Sequence, residues 1–179
     1  HGDSNYYYQT VNDYCGFVSG YVATSQYIAE RVSKMNIDQR SAALVKKVFA
    51  SVPRITPMKG VKPFSPLRLV YLGRIEKEKG SHLLLPICEG LIARGISFKL
   101  DVIGSGSYAP LLEREIKESN SINFRGFLTQ QEAFRILQES HILVFPSYSE
   151  AVGLSVVEAM KAGVVPVVSD LPSGIPELV

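Results

Sequence analysis

From Leu69 to the last residue, short apolar runs alternate with longer segments in which apolar residues recur every three or four positions. A short apolar run between turn residues is typical of a buried strand, and the longer spacing is typical of a helix that packs on a sheet. The runs predict about five strands, which cover residues 69–72, 98–103, 122–124, 142–145 and 164–168.

The segments between these runs predict four helices. Residues 81–94, 110–118 and 153–161 carry the helical spacing, and Gly95 is a stop signal for the first of them. The remaining helix is expected to open at a capping box of Thr129 and Glu132 and to run to about residue 139. Strands that alternate with helices through right-handed crossovers predict an α/β fold, a Rossmann-like doubly wound parallel sheet.

The first part of the chain follows a different pattern. Residues 4–14 are polar and aromatic, with three consecutive tyrosines that are typical of helix packing; residues 21–24 predict a strand and residues 25–35 an amphipathic helix. Residues 51–66 contain four prolines, which predicts an extended linker. The chain is therefore divided into residues 1–50, a linker over 51–66, and a sheet domain over 67–179.

Composition narrows the class of protein. A hydrophobic content of 46% with 20% charged residues is typical of a globular chain, and a net charge of +2 falls short of the basic excess of a nucleic-acid binder. Cys15 and Cys88 lack metal-ligand spacing and are interpreted as core residues with free thiols, which favours a reducing compartment. No signal peptide or run of eighteen apolar residues is found.

Two carboxylates mark the end of the strand predicted over residues 142–145. Glu150 falls in the strand-to-helix loop, and Glu158 follows eight residues later, inside the next helix. In a parallel α/β sheet, ligands bind at the carboxyl ends of the strands, where carboxylates can accept hydrogen bonds from sugar hydroxyls. Taken singly, Glu158 also fits an exposed helix residue, and Glu150 fits a charge at a helix N-terminus.

Two cations follow the strand predicted over residues 69–72. Arg74 and Lys79 flank a loop that closes at Gly80, so both side chains could face one pocket. A guanidinium offers phosphate a planar fork and an ammonium offers it a point charge, and both would neutralise negative charge that grows in a transition state. Because residues 76–78 alternate in charge, the loop also fits an ordinary solvated surface.

Five motifs occur in a fixed order, at residues 70–80, 102–106, 122–127, 145–168 and 170–177. The first contains G-R-x4-K-G, and the fourth contains F-P-S followed by E-x7-E and E-A-M-x-A-G. In this order the motifs resemble the donor-binding domain of the retaining GT-B-fold glycosyltransferases known as glycosyltransferase group 1. The resemblance implies one half of a GT-B fold, incomplete at its C-terminus, with a remnant of the acceptor-side domain in residues 1–50.

The resemblance also implies a reaction. A nucleoside-diphosphate sugar would donate its sugar in a retaining, hexosyltransferase-like transfer, without metal, cofactor or protein nucleophile. The implied catalytic residues are Glu150 at the donor sugar and Arg74 and Lys79 at the diphosphate, and Glu158 would bind the ribose hydroxyls. The full set implied to bind the donor is Gly73, Arg74, Lys79, Gly104, Arg125, Gly126, Phe127, Glu150, Val152, Gly153, Leu154 and Glu158.

One departure from the family pattern lies beside the first glutamate. The family usually has Gly and then an aromatic residue after it, whereas this chain has Ala151 and Val152. Alanine restricts the backbone relative to glycine, and valine removes an aromatic wall. These two residues favour an alternative, a non-catalytic relative that keeps the fold as a binding or scaffolding domain. Gly153 is retained, so its loop still predicts a phosphate-binding turn.

A second alternative comes from residues 104–109, which satisfy G-x-G-x-x-A after a strand, the fingerprint of dinucleotide binding. That site also needs an acidic residue about twenty positions later, and the neighbourhood offers Arg125 without a carboxylate. NAD is therefore disfavoured, while an NADP-dependent reductase using Arg125 stays open. A nucleotide-sugar epimerase fits the R-x4-K and E-x7-E spacing less well than a transferase does.

The resemblance further implies what surrounds this chain. The chain is expected to be a fragment that binds donor nucleotide weakly and transfers no sugar by itself. Its partners are a nucleotide-sugar donor and an unidentified acceptor (a saccharide, a lipid-linked molecule or a protein), and no nucleic acid. The expected location is cytoplasmic, with peripheral membrane association through the missing domain as a variant of this expectation.

Overall fold

The computed structural model describes residues 9, 11, 13, 20–35, 46–47, 52 and 62–179. The tyrosine run, Cys15 and most of the predicted linker lie outside the described residues. The chain divides into two compact units, which are treated separately below. The first comprises residues 1–51, 149–153 and 170–179, and the second comprises residues 52–148 and 154–169. The three-part division predicted from the sequence differs from these units, because it assigns residues 149–153 and 170–179 to the sheet domain. It stays a prediction.

In the first unit, strand β1 (Val22–Ala23) pairs in parallel with strand β2 (Lys46–Lys47), and helix α1 (Gln26–Ser33) follows β1. Both predicted elements exist but are shorter than the ranges 21–24 and 25–35. Helix α1 begins where it does because Ser25 is in an extended conformation and its Oγ accepts a hydrogen bond from the Ile28 N–H at 3.2 Å. This N-cap satisfies one of the free N–H groups of the first turn.

Residues near the C-terminus complete the first unit. The Glu177 carboxylate accepts hydrogen bonds from the N–H groups of Gln26 and Tyr27, at 3.1 and 3.0 Å, at the N-terminus of α1. The Gly174 N–H donates to the Ala151 carbonyl at 3.0 Å. The segment 170–179 is therefore bonded both to α1 and to the loop that contains Ala151.

The second unit contains a parallel sheet of five strands, which are β3 (Leu67–Leu72), β4 (Phe98–Ile103), β5 (Ile122–Gly126), β6 (Ile142–Phe145) and β7 (Val165–Val168). Their order is β5-β4-β3-β6-β7, and every neighbouring pair is parallel. The predicted α/β, Rossmann-like doubly wound sheet is confirmed. The bounds of β4 and β6 match the predicted ranges, whereas β5 extends two residues further than expected.

Four helices connect these strands, namely α2 (Leu84–Ala93), α3 (Ala109–Ile116), α4 (Gln130–Glu139) and α5 (Leu154–Lys161). The capping box of α4 is confirmed, because the Thr129 hydroxyl accepts from the Glu132 N–H while the Glu132 carboxylate accepts from the Thr129 N–H. Helix α3 ends at Ile116 instead of residue 118. None of the helices among the described residues is both long and apolar enough to cross a membrane.

The helix predicted over residues 81–94 is wrong in its first turn. Residues Ser81–Leu83 form a 3₁₀-helix, and the α-helix begins at Leu84. Pro86 explains the change, because it has no N–H for the carbonyl of residue 82 and is tolerated only in the first turn of an α-helix. The end of the helix was predicted correctly, and Gly95 follows it with a φ of 67°.

Alternate residues of the central strands fill a core beneath α2 and α3. This cluster is formed by Leu69, Tyr71, Leu100, Val102, Leu84, Cys88, Leu112 and Ile116, with further residues around them. Cys88 is a buried free thiol, as predicted, and burial raises its pKa to about 11. On the opposite side of the sheet, α4 packs on β3, and α5 packs on β6 and β7.

Three of the described residues in the predicted linker, Val52, Lys62 and Phe64, contact other residues of the sheet unit. The Lys161 ammonium donates to the Val52 carbonyl at 2.6 Å, and the Lys62 ammonium donates to the Ser140 carbonyl at 2.6 Å. Phe64 stacks on the His141 ring with a centroid distance of 4.7 Å. These residues therefore contact the amino-terminal edge of the sheet, and the linker over residues 51–66 stays a prediction.

His141 holds this edge together as a neutral ring. Its Nδ1 accepts a hydrogen bond from the Arg68 N–H at 2.9 Å, and only 7% of the residue is exposed. Burial, and then the nearby positive charges of Lys62 and Arg68, lower the pKa of His141. A protonated ring would lose the acceptor at Nδ1, so neutrality and geometry support each other.

Candidate functional site

The order of the strands fixes where the second unit can bind a ligand. Strand β3 lies between β4 and β6, and the chain leaves β3 and β6 toward opposite edges of the sheet. The carboxyl ends of β3 and β6 therefore form a topological switch point, where doubly wound sheets bind ligands. The loop of residues 73–80, here called the cation loop, follows β3, and residues 146–148 follow β6.

The cation loop touches the end of β6 through its backbone. The Tyr148 N–H donates to the Glu78 carbonyl at 2.9 Å. Gly80 has a φ of 70°, and a Cβ at this position would lie 1.9 Å from the Pro146 carbonyl oxygen. Only glycine fits here, because the backbone conformation is left-handed and the neighbouring atoms belong to the main chain. The predicted closure of the loop at Gly80 has this physical reason.

The two candidate cations lie at either end of the cation loop. Arg74 follows Gly73, and its side chain is 63% exposed; its Nη2 lies 2.5 Å from Glu78 Oε1. Lys79 ends a short 3₁₀-helix, Lys77–Lys79, and is partly buried. Both cations therefore lie at the switch point. That the guanidinium and the ammonium face one pocket stays a prediction.

The cation loop is also joined to the loop that follows β4. The Ile75 N–H donates to the Ser105 carbonyl at 2.8 Å, and the Tyr108 N–H donates to the Ile75 carbonyl at 3.0 Å. The Glu76 carboxylate accepts from the Ser107 hydroxyl and N–H at 2.5 and 2.7 Å, and these two hydrogen bonds lower its pKa. Two loops that are distant in sequence thus share one hydrogen-bonded surface.

The glycines of the dinucleotide-like fingerprint serve this contact between loops. A Cβ at Gly104 would lie 1.8 Å from the Gly73 carbonyl oxygen, and a Cβ at Gly106 would lie 2.4 Å from the Ile75 carbonyl oxygen. Close approach of two backbones explains both glycines without a bound dinucleotide. Gly73 and Gly104, both predicted site residues, are therefore in direct contact.

Arg125 and Gly126 are the last two residues of strand β5 and lie beyond the range predicted for it. Arg125 Nε forms a 2.7 Å ion pair with Asp101 Oδ1 on the neighbouring strand β4. Asp101 is 24 positions from Arg125 in the sequence, and the pairing of β4 with β5 brings the two side chains together. Phe127 follows the strand with 80% of its surface exposed.

Glu158 lies in the second turn of α5, which follows the carboxyl end of β6. It is half-buried and not exposed, and its side chain forms a hydrogen bond with Gln130 at the start of α4. Burial raises the pKa of Glu158, an effect that the hydrogen bond with Gln130 partly offsets. A half-buried carboxylate at a switch point is typical of a functional position.

The remaining predicted site residues precede α5. Glu150, Val152 and Gly153 belong to the first unit, whereas Leu154 is the first residue of α5, so the helix begins one residue later than predicted. Gly153 is buried and has a φ of 74°, a conformation that favours glycine. The meeting of Glu150 with Glu158 and the cations in one site stays a prediction.

Sequence reasoning missed three residues that contact the candidate site. Tyr71 and Glu76 form hydrogen bonds at the cation loop, and Asp101 pairs with Arg125. Tyr71 shows the clearest signal, because it is a tyrosine at an inward strand position two residues before the glycine of the G-R motif. Within the described ranges, no three His, Cys, Asp or Glu side chains lie close enough together to hold a metal ion.

Comparison with known proteins gives a family match over the strands and helices of the sheet. The family described as glycosyl transferases group 1 matches residues 66–179. Among curated proteins, the chain is 29% identical over 160 residues to WcaL of Escherichia coli (strain K12), a glycosyltransferase assigned provisionally to colanic acid biosynthesis. That match covers 84% of this chain and 39% of WcaL, so the chain spans about two fifths of its relative's length.

Two solved structures have the same fold at low sequence identity. TarM of S. aureus superposes with a TM-score of 0.79 at 17% identity, covering 97% of this chain and 34% of TarM. Alr3699/HepE of Anabaena superposes with a TM-score of 0.78 at 19% identity, covering 98% of this chain and 51% of HepE. Since the family match spans more than half of the residues and includes the whole switch point, the chain belongs to the group 1 glycosyl transferases.

Proposed function

We propose that this chain binds the nucleoside-diphosphate sugar of a retaining glycosyltransferase that works without a bound metal or cofactor. The observation that carries the proposal is the cation loop, which places Arg74 and Lys79 at the switch point and is held there by Gly80 against the end of β6. Ligands of doubly wound sheets bind at this place. The acceptor, a saccharide, a lipid-linked molecule or a protein, belongs to the same proposal and is not specified further.

The two cations are proposed to bind the diphosphate. Arg74 can form two parallel hydrogen bonds to phosphate oxygens, and Lys79 adds a point charge at the other end of the loop. When the bond to the sugar breaks, negative charge grows on the diphosphate. Fixed positive groups that meet this charge lower the barrier, because they need no rearrangement at the moment of reaction.

Glu158 is proposed to accept hydrogen bonds from the ribose hydroxyls. Glu158 lies in the second turn of α5, the helix that follows the carboxyl end of β6. Strand β6 pairs with β3, which leads into the cation loop. For Glu150, Val152 and Gly153, the proposed contacts with the donor sugar and phosphate rest on the family resemblance alone. Arg125, Gly126 and Phe127 are proposed to lie beside the base.

Similar proteins indicate which nucleotide to test first. HepE was solved in complex with UDP and glucose, and TarM was solved in a complex that includes UDP. Because the chain spans 39% of WcaL, transfer by the whole protein is part of the proposal, as are weak nucleotide binding without transfer by the 179-residue chain and a cytoplasmic or peripheral membrane location.

Calorimetric titration of the 179-residue chain with UDP, GDP, ADP and NADPH tests the proposal. We expect one of the three diphosphates to bind with a Kd of about 0.1–1 mM, equivalent to roughly 4–5.5 kcal/mol, and NADPH not to bind. Binding of NADPH alone would establish the reductase alternative. Failure of all four ligands would favour the non-catalytic scaffold that Ala151 and Val152 suggest.

Glu158→Gln is expected to separate stability from binding. Because burial raises the pKa of Glu158 above its ordinary value of 4.5, the folded state holds the proton more strongly than the unfolded state. Ionised Glu158 therefore costs stability, and the variant should unfold at a higher temperature than the wild type at pH 7. That gain should fade as the pH falls toward 4.5 and should be absent below it, because Glu158 is then protonated in both states. Affinity for whichever of the three diphosphates binds the wild type should fall about tenfold, since a hydrogen bond to a charged group is lost.

Glu113→Gln is the matched control, because Glu113 is an exposed carboxylate on α3. It should change neither the melting temperature at pH 7 nor the affinity. Thermal melts at pH 4 and pH 7, together with calorimetry, measure both effects. A Glu158→Gln variant that binds the diphosphate as tightly as the wild type would remove Glu158 from the proposed site.

A further inference from the structure

Tyr71 is a buried tyrosine whose hydroxyl reaches the cation loop from below. Only 1% of the residue is exposed, and its ring packs in the core beneath α2 and α3. The hydroxyl donates to the Arg74 carbonyl at 2.7 Å, and the Lys79 carbonyl lies 3.4 Å away as a second, longer acceptor. One side chain thus contacts the backbone of both residues that carry the candidate cations.

These contacts matter because they act on both ends of the cation loop at once. The Ile75 backbone is bonded to the loop after β4, and the Lys79 N–H donates to the Glu76 carbonyl at 3.0 Å. Both bonds act on the middle of the loop or on one of its ends. The Tyr71 hydroxyl contacts the carbonyl groups of residues 74 and 79 together.

We propose that Tyr71 is a positioning residue, whose hydroxyl sets the separation of the Arg74 and Lys79 backbones so that their side chains meet one diphosphate. This inference rests on the proposed function for its ligand, though the positioning itself does not. Tyr71 touches no substrate, and it acts through the two cations. The aromatic ring fills the core, and the hydroxyl contacts the loop above it.

Tyr71→Phe tests the inference, because it removes the hydroxyl and keeps the ring. Affinity for the diphosphate that binds the wild type should fall roughly three- to tenfold, the effect of one lost neutral hydrogen bond. Affinity for the corresponding nucleoside, which has no phosphate, should change less than about twofold. A merely structural role would weaken both ligands by the same factor, so equal losses would overturn the inference.

Tyr108→Phe is the matched control. It also removes a single tyrosine hydroxyl, but that hydroxyl points to Glu115 on α3, 3.4 Å away, and not to the cation loop. The variant keeps the aromatic ring at position 108, over which the Lys77 ammonium lies. We expect wild-type affinity for both the diphosphate and the nucleoside.

Hydrogen exchange of the ligand-free protein gives a second measurement that does not depend on the ligand. In Tyr71→Phe, the amides of residues 74–80 should exchange at least about threefold faster than in the wild type, while those of strand β4 keep their rates. Unchanged exchange over residues 74–80 would overturn the positioning role even if a diphosphate binds. Faster exchange in a protein whose wild type binds no diphosphate would instead refute the proposed function and leave the positioning intact.

Discussion

Lys79→Ala is expected to weaken binding of the diphosphate by about 10- to 100-fold, since a hydrogen bond between charged groups contributes roughly 1.5–3 kcal/mol. Arg74→Ala should have a similar effect, reduced in part because the guanidinium must first leave Glu78. Calorimetry at one fixed ionic strength measures both variants. Thermal melts should show that the fold is unchanged, because the Arg74 side chain is 63% exposed and the Lys79 side chain lies on a surface loop.

Lys77→Ala is the control for net charge. Lys77 lies in the same 3₁₀-helix as Lys79, and its ammonium sits over the Tyr108 ring at 5.8 Å from the centroid. Its loss changes the charge of the loop equally, yet the affinity should fall less than about threefold. If Lys77→Ala and Lys79→Ala weaken binding equally, the loop attracts phosphate only through its overall charge, and the specific role of Lys79 is lost.

Gly80→Ala is expected to lower the free energy of unfolding by about 3–5 kcal/mol. The added Cβ would lie 1.9 Å from the Pro146 carbonyl oxygen, so the cation loop and the end of β6 must move apart. The left-handed backbone at this position adds its own strain. Urea denaturation followed by circular dichroism measures the change.

Gly95→Ala separates the two causes of this loss. Gly95 has nearly the same conformation, with a φ of 67°, but nothing lies within 4 Å of the added Cβ. It should therefore cost only the conformational strain, about 1–2 kcal/mol. Similar losses in the two variants would mean that the contact with Pro146 does not limit the loop. We expect diphosphate binding to fall in Gly80→Ala and to stay unchanged in Gly95→Ala.

The sheet could be predicted because its signals are local. Strand β4 is a run of apolar residues between turn residues, and the bonding groups of the α4 capping box, Thr129 and Glu132, are three positions apart. The one clear error inside a helix, the first turn before α2, also had a local cause in Pro86. Family motifs then indicated which loops matter, and the order of the strands brings the loops after β3 and β6 to one edge.

The contacts that shape the site could not be predicted in this way, because they join residues distant in sequence. Asp101 meets Arg125 only through the register of β4 and β5. The partner of Gly80 is the carbonyl of Pro146, and Glu76 bonds to Ser107. Motif spacing identified the glycines and the charged residues. Only the fold shows which neighbouring main-chain segment lies too close to each glycine for a side chain.

The shared surface of the cation loop and the loop after β4 has a consequence for engineering. Since Ile75 is bonded to both Ser105 and Tyr108, and Gly104 contacts Gly73, neither loop can change length or path without displacing the other. A transplant of one loop from a relative with a different donor would leave mismatched backbones. Residues 73–80 and 104–108 should therefore be exchanged together as a single cassette.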